Sequence, residues 1–434
     1  MSKQSKQWGA IIVMIALFAM IAFVTNLCTP MATILKNQGG VSNVLAQIGN
    51  YGNFIAYLVM GIPAGMLIKK FGYKKTALMA LLVGIVGIFI QWVSGWESMQ
   101  TMAFGIYLIG AFIGGLCMCM LNTVVNPMLN ILGGGGNKGN QLIQIGGVFN
   151  SAAAVACYIL MGALIGEAAK AKMSDATPAL FIAMGIFIIA FIVICFTKIE
   201  EPEQPQEEAK AKTGEKDKYS AFSFRHFKLG ILAIFLYMGI EVGVPNYIQQ
   251  FLTSGGDGIE PMNAGIVGMI VAIYWLLMLV GRFVGGTIGG KVSSRTMITT
   301  VSIAAIVLIL FGMFMPVTTT ISVPGVNWES LSFITADVPV GIFAFLLVGL
   351  CTSVMWGGIF NLAVEGLGKY TAIASGAFMT MVFGCAVLQA LQGWVADMTG
   401  NYLISYFVPL GCAVYILFYA LVGYKNVNKD IPVE

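Results

Sequence analysis

The chain has 434 residues, of which 58% are hydrophobic and only 10% charged, with a mean hydropathy of +0.87 and a formal net charge of +4. Soluble domains carry about 25% charged residues, so a soluble protein of this composition would have almost nothing with which to cover its surface. Disorder, collagen-like repetition and a disulfide scaffold are excluded too, since the 53 Gly and 13 Pro show no period and there are only 8 Cys; the small charge gathers into no nucleic-acid patch.

A polytopic membrane protein remains. A bilayer-spanning helix takes roughly 20 mostly apolar residues, and twelve such stretches follow one another: 9–35, 45–68, 77–95, 102–131, 140–166, 178–198, 226–252, 262–290, 297–316, 338–366, 370–396 and 401–424. The start MSKQSKQ is basic, but the apolar run from Trp8 is too long for a signal-peptide core and has no small-residue cleavage site, so it reads as the first span. The charged, Pro-containing stretch 199–224 falls halfway through the spans and reads as a solvated linker, with a short helix near Glu207 to Lys212. The segment 317–337, between the ninth and tenth spans, reads as a long loop.

An even number of spans puts both termini on one side. Of the 23 Lys and Arg, Arg282 lies inside a span and only Lys36, Lys170 and Lys172 fall opposite the termini, so both ends and the linker are expected in the cytoplasm. Weak internal echoes support two halves in parallel repeat. GLC at 115–117 returns at 349–351, NPMLNILG at 126–133 is echoed by NLAVEGLG at 361–368, and GMLIKKFGYKKT at 65–76 by GGTIGGKVSSRT at 285–296. The expected fold is therefore an all-α membrane protein of twelve transmembrane helices in two pseudo-symmetric six-helix bundles, 1–198 and 225–434, joined by a cytoplasmic linker at 199–224.

A charge near the bilayer centre costs at least about 2.5 kcal/mol, so intramembrane ionisable groups are functional candidates. Glu241 in span seven and Arg282 in span eight qualify. Glu365, Asp337, Asp397 and His226 lie near span ends and read as snorkelling groups. Uncharged amides form stripes at spacings of three and four: Asn26 with Thr29, Asn50 with Asn53, Asn122 with Asn126 and Asn130, Asn246 with Gln249 and Gln250, Gln389 with Gln392. Gln144, Asn150 and Asn361 extend the set. Such amides serve either as interhelical glue or as ligand contacts. Trp275 and Trp356, with Tyr237, Tyr247 and Tyr274, lie within spans of the second half. An amide-rich, nearly uncharged cavity bearing aromatic faces suits a neutral sugar, while packing is the plainer role for each ring.

An enzyme finds no support. A single His allows no hydrolytic triad, no metal-ligand spacing appears, and GGGG at 133–136 lacks the Lys-Ser/Thr of a phosphate loop; no cofactor or metal is expected. The cysteines lie in apolar stretches as small hydrophobes. Neither repeated filter segments nor charged rings mark a channel.

GMLIKKFGYKKT resembles the loop motif of the major facilitator superfamily, with Gly65, Gly72, Lys74 and Lys75 in place and Lys69 where Asp is usual. LNTVVNPMLNILG at 121–133, Phe149-Asn150, LYMGIEVGVPNY at 236–247, GRFVGG at 281–286 and IFNLAVEGLGKYTAIASG at 359–376 resemble its fucose/galactose/glucose symporter family, closer to the glucose/galactose branch. The resemblance implies a monomeric permease of the bacterial inner membrane that rocks two bundles around a central sugar site, with proton-coupled uptake as the family's usual mode. It implies a carboxylate at Glu241 and an amide at Asn122; the candidate cavity residues are Asn26, Thr29, Asn122, Asn126, Gln144, Asn150, Asn246, Asn361 and Gln389, with Trp275 and Trp356 as stacking candidates. Two departures stand out: Thr29 occupies the place of the family's first-helix acid, and Gly147 that of Gln. Either Glu241 couples a proton to the sugar, or a cation such as sodium does, or the protein is an uncoupled facilitator. An amino or acidic sugar would need Arg282 in the cavity, and a membrane sugar sensor is the reading outside transport.

Overall fold

The computed structural model describes residues 3–39, 43–132, 136–165, 172–197, 219–256, 258–288, 292–327, 332–367, 370–428 and 430–433. A backbone in lipid must satisfy its polar groups internally, and apolar stretches of this length do so as helices. Among the described residues, eleven helices are long and apolar enough to cross a membrane, and a shorter apolar helix, Gly52–Ile68, accompanies them. They are α1 (Lys3–Gly39), α2 (Gly52–Ile68), α3 (Lys70–Val93), α4 (Ala103–Leu132), α5 (Gly136–Ile165), α6 (Thr177–Phe196), α7 (Arg225–Ser254), α8 (Ala264–Ile288), α9 (Ser294–Phe314), α10 (Val340–Val364), α11 (Gly376–Thr399) and α12 (Tyr402–Gly423). Helical hydrogen bonding runs on from α2 into α3, and the kink between the two helices falls at Gly72, near the start of α3, whose φ of 81° is a left-handed conformation that an L side chain resists. The glycine of the loop motif thus has a local reason to be there.

The next residues of that motif tie the loop down. Lys74 Nζ donates to the carbonyls of Cys195 (3.0 Å) and Thr197 (2.8 Å), a cation on the unsatisfied carbonyls at the end of α6. Lys75 is exposed. At Gly65 an added Cβ would meet nothing within 4 Å, so this position is not forced by packing.

Helices α1–α6 pack among themselves, as do α7–α12, and three contacts join the sets: α2 with α11, α5 with α8, and α1 with α7. Adding six to each helix number turns the first contact into the second and maps the third onto itself. That is the signature of two parallel repeats facing each other across a pseudo-twofold axis. The joints are built from glycine. A Cβ on Gly268 of α8 would lie 2.5 Å from the Tyr158 carbonyl of α5 and 3.0 Å from Gly162 Cα, and one on Gly61 of α2 would lie 2.7 Å from Thr380 Oγ1 of α11.

The segment expected as a loop at 317–337 contains a β-hairpin, β1 (Thr320–Asn327) antiparallel to β2 (Ser332–Pro339), and Asp337 there accepts a hydrogen bond from Ser322. With the residue 258–263 turn and Ile266 it walls a cleft of about 500 Å³. The linker helix expected near Glu207 lies outside the described residues.

Candidate functional site

Among the described residues, Glu241 and Arg282 form the intramembrane ion pair: Arg282 Nη2 lies 3.4 Å from Glu241 Oε1, with the two side chains only 14% and 12% exposed. Neither charge could be left alone at such burial, and each supplies the other's counter-charge. Arg282 does more than neutralise. Its Nη1 donates to the Gly147 carbonyl (2.9 Å), Ser151 Oγ (3.1 Å) and Asn150 Oδ1 (3.3 Å), all on α5 of the other bundle. A Cβ at Gly147 would stand in ordinary contact with this fork, 3.4 Å from Arg282 Cδ and 3.5 Å from Nη1. One guanidinium fork thus spans the joint between the bundles, ionic on the α7 side and neutral on the α5 side. Asn150 continues the chain by donating to the Phe18 carbonyl of α1 at 3.0 Å.

One turn before Glu241 on α7, the Tyr237 hydroxyl donates to the Thr352 carbonyl of α10 at 3.4 Å. Through Arg282, polar groups of α5, α7 and α8 are thus joined in one network.

A second cluster ties α7 to α11. Asn246 Nδ2 donates to Gln389 Oε1 (2.7 Å), Gln250 Nε2 reaches Asn246 Oδ1 (3.5 Å), and the Tyr247 hydroxyl donates to the Gln389 carbonyl (2.9 Å). These residues belong to a run, Val242–Thr253, buried at every position, so the half of α7 toward the hairpin has no solvent-facing side.

The remaining expected contacts divide. Asn26 and Asn126 spend their amide protons on the carbonyls four residues back, Ala22 (2.8 Å) and Asn122 (3.0 Å), while Asn122 donates to the Tyr57 hydroxyl of α2 (2.8 Å). Trp356 packs against Tyr237 and Phe378. Trp275, buried, stacks on Tyr158 of the other bundle at 6.3 Å, with its Nε1 lacking a hydrogen-bond partner. Asn361 is exposed, on the face of its helix away from the buried Gly358, Ile359, Leu362 and Ala363. The side chains of Thr29, Gln144 and Lys69 lie outside the described ones. His226, expected to snorkel, is instead buried, with Nε2 2.9 Å from the Glu365 carbonyl. No group of His, Cys, Asp and Glu among the described residues could hold a metal ion.

Glu241 and Arg282 stand out in the sequence as intramembrane charges; that the arginine reaches across to α5 has no sign there.

Two six-helix halves in parallel repeat, joined by glycine contacts and by an arginine that reaches from its buried ion pair to the other half, define a membrane transporter of the two-bundle type. The chain belongs to the Major Facilitator Superfamily, whose family model matches residues 12–390. It is 28% identical to a glucose/galactose transporter of Brucella abortus over 98% of this chain and 96% of that protein. It is 22% identical to an L-fucose-proton symporter of Escherichia coli, over 93% of this chain and 91% of the other. Among solved structures it is similar to the E. coli fucose:proton symporter (TM-score 0.65, 20% identity, 95% and 98% covered). It is also similar to the E. coli xylose transporter in its inward-open conformation (TM-score 0.72, 12% identity, 97% and 96% covered). The protein is thus a multi-pass membrane transporter and not an enzyme.

Proposed function

We propose that the protein imports a neutral hexose, of the glucose or galactose type, by alternating access of its two bundles, with a proton entering alongside and Glu241 as the group that carries it. The observation that carries this reading is the Glu241–Arg282 pair anchored on α5 at Gly147. A carboxylate in that place makes the joint between bundles depend on its charge. Ionised, it holds Arg282 between the bundles; protonated, it leaves an arginine bound to neutral groups only, which weakens the joint. The full-length likeness to a protein named as a glucose/galactose transporter supports the sugar class, and that to an L-fucose-proton symporter supports the proton. An acidic sugar is disfavoured, because the Arg282 fork already engages four acceptors.

The sugar is held by amides: Asn122, Asn126 and Asn150 from the first half, Asn246, Gln389 and Asn361 from the second, with Trp356 against the ring. The sealed hairpin half of α7 and the Gly162–Gly268 contact support a state closed on the hairpin side. The lysine and arginine distribution supports a bacterial inner-membrane protein with both termini and the linker cytoplasmic and the hairpin outside, working as a monomer with its core built from one chain. In vesicles with an imposed proton gradient, Glu241→Gln is expected to keep sugar-for-sugar exchange and lose accumulation; full accumulation in that variant would sink the coupling role.

A further inference from the structure

A buried amide costs free energy unless it is hydrogen-bonded, and between membrane helices such bonds commonly cross to a neighbour. Those of Gln250 do not. Its side chain is fully buried, its Nε2 reaches Asn246 Oδ1 one turn back on the same helix at 3.5 Å, and its Oε1 has no partner among the described residues. Asn246 Nδ2 donates onward to Gln389 Oε1 of α11 (2.7 Å), and Gln389 Nε2 to the Cys385 sulfur (2.7 Å). The three amides therefore donate in one direction, from Gln250 through Asn246 to Gln389, and Gln250 is left with an open acceptor at the head of the row.

As interhelical glue Gln250 is idle, since its bond stays within α7. As packing it is costly, since Met or Leu would fill similar space with no orphaned carbonyl. A hydrogen bond made in another state of the protein accounts for both facts. Gln250 belongs to the run Val242–Thr253, buried throughout, on a helix that meets α1 of the other bundle. One helical turn, about 6 Å along α7, separates it from Asn246, and a pyranose ring with its hydroxyls bridges such a span.

We propose that Gln250 is a specificity-determining residue of transport, whose Oε1 accepts a hydrogen bond from one sugar hydroxyl when the hairpin side opens and the α1–α7 joint parts. An amide oxygen accepts and does not donate, so the hydroxyl it reads is the donor. An analogue without that hydroxyl leaves the carbonyl unanswered and is rejected. This role rests on the hexose reading and is independent of the proton. Gln249, whose Oε1 also lacks a partner, lies about 100° round the helix from the Asn246–Gln250 row and supplies the comparison.

The test is competition by the monodeoxy and deoxyfluoro derivatives of D-glucose and D-galactose against the labelled parent sugar, in sugar-for-sugar exchange by proteoliposomes holding the full chain without a gradient. Fluorine accepts a hydrogen bond at most, so a position read by donation loses affinity alike on deoxygenation and on fluorination. The wild type is expected to show at least one such position, with a loss of about tenfold for both derivatives. Gln250→Met is expected to weaken the parent sugar to the level of those two derivatives and so to flatten one such preference, while Gln249→Met leaves it in place. Hexose exchange with every preference unchanged in Gln250→Met, a uniform loss for all analogues, or equal flattening by Gln249→Met would overturn the role of Gln250 and leave the hexose reading standing. A wild-type panel with no position read by donation would do the same without any variant. No exchange of either hexose by the wild type would remove the hexose reading and this role with it.

Discussion

A buried charge pair is worth less than its distances suggest, because both ions were taken out of water, but breaking it is costly. Arg282→Ala is therefore expected to lower stability by about 3–5 kcal/mol through the stranded Glu241 carboxylate, read as a fall in the unfolding midpoint in detergent. Adding Glu241→Gln to it should recover most of that loss, since no uncompensated charge then remains. A double variant as unstable as the single one would mean that Arg282 contributes through its bonds to Gly147, Asn150 and Ser151 rather than through its charge. At this scale the sequence was legible where chemistry is rare and opaque where it is common. A carboxylate and a guanidinium amid apolar residues announce themselves. Amides at three- and four-residue spacing announce only a shared face: Asn26 and Asn126 turn back to their own helices, while Asn122 reaches Tyr57 across helices. Nothing in the spacing distinguishes a side chain that bonds four residues back from one that crosses to a neighbour.

For the helices, the expected spans and the folded ones agree closely, as at 262–290 against Ala264–Ile288, because about 20 apolar residues in lipid allow one backbone solution. The hairpin at 320–339 was missed since its strands mix Thr, Ser, Val and Ile around Pro324 and Gly325 without clean alternation. The loop after α2 makes a sharper claim. Lys74→Met removes the cation from the end of α6 and should lower stability by about 0.5–2 kcal/mol, whereas Lys75→Met, from the exposed partner, should leave the unfolding midpoint where it was. Equal losses from both would reduce the motif to a patch of positive charge. At the α5–α8 joint, Gly268→Val drives a side chain into the Tyr158 carbonyl 2.5 Å away. It should abolish uptake and cost about 1–3 kcal/mol, while Gly185→Ala on α6, where a Cβ meets nothing within 4 Å, should do neither. Uptake at the wild-type rate in Gly268→Val would mean that the helices do not meet there.

At the scale of the molecule, two bundles touch along α2–α11, α5–α8 and α1–α7; the ion pair lies within the second bundle, and its arginine crosses the α5–α8 joint. Transport by rocking requires that the joint be made and broken in each cycle, and a group at the joint whose charge changes can bias that equilibrium only by its differential interaction with the two states. The internal repeat was faint in the sequence, a few short echoes, yet it announced two halves in parallel repeat; which helices face each other is visible only in the fold. The identity of the sugar was not legible, because epimers differ by hydrogen-bond placements that residue spacing does not encode. The most direct test is uptake of a labelled monosaccharide panel into proteoliposomes, each sugar with and without an inward proton gradient. Accumulation of glucose or galactose above equilibrium only when the gradient is present, lost in Glu241→Gln, is the expected result; equilibration without accumulation under the same gradient would contradict the coupling, and no entry of any neutral hexose would contradict the substrate class.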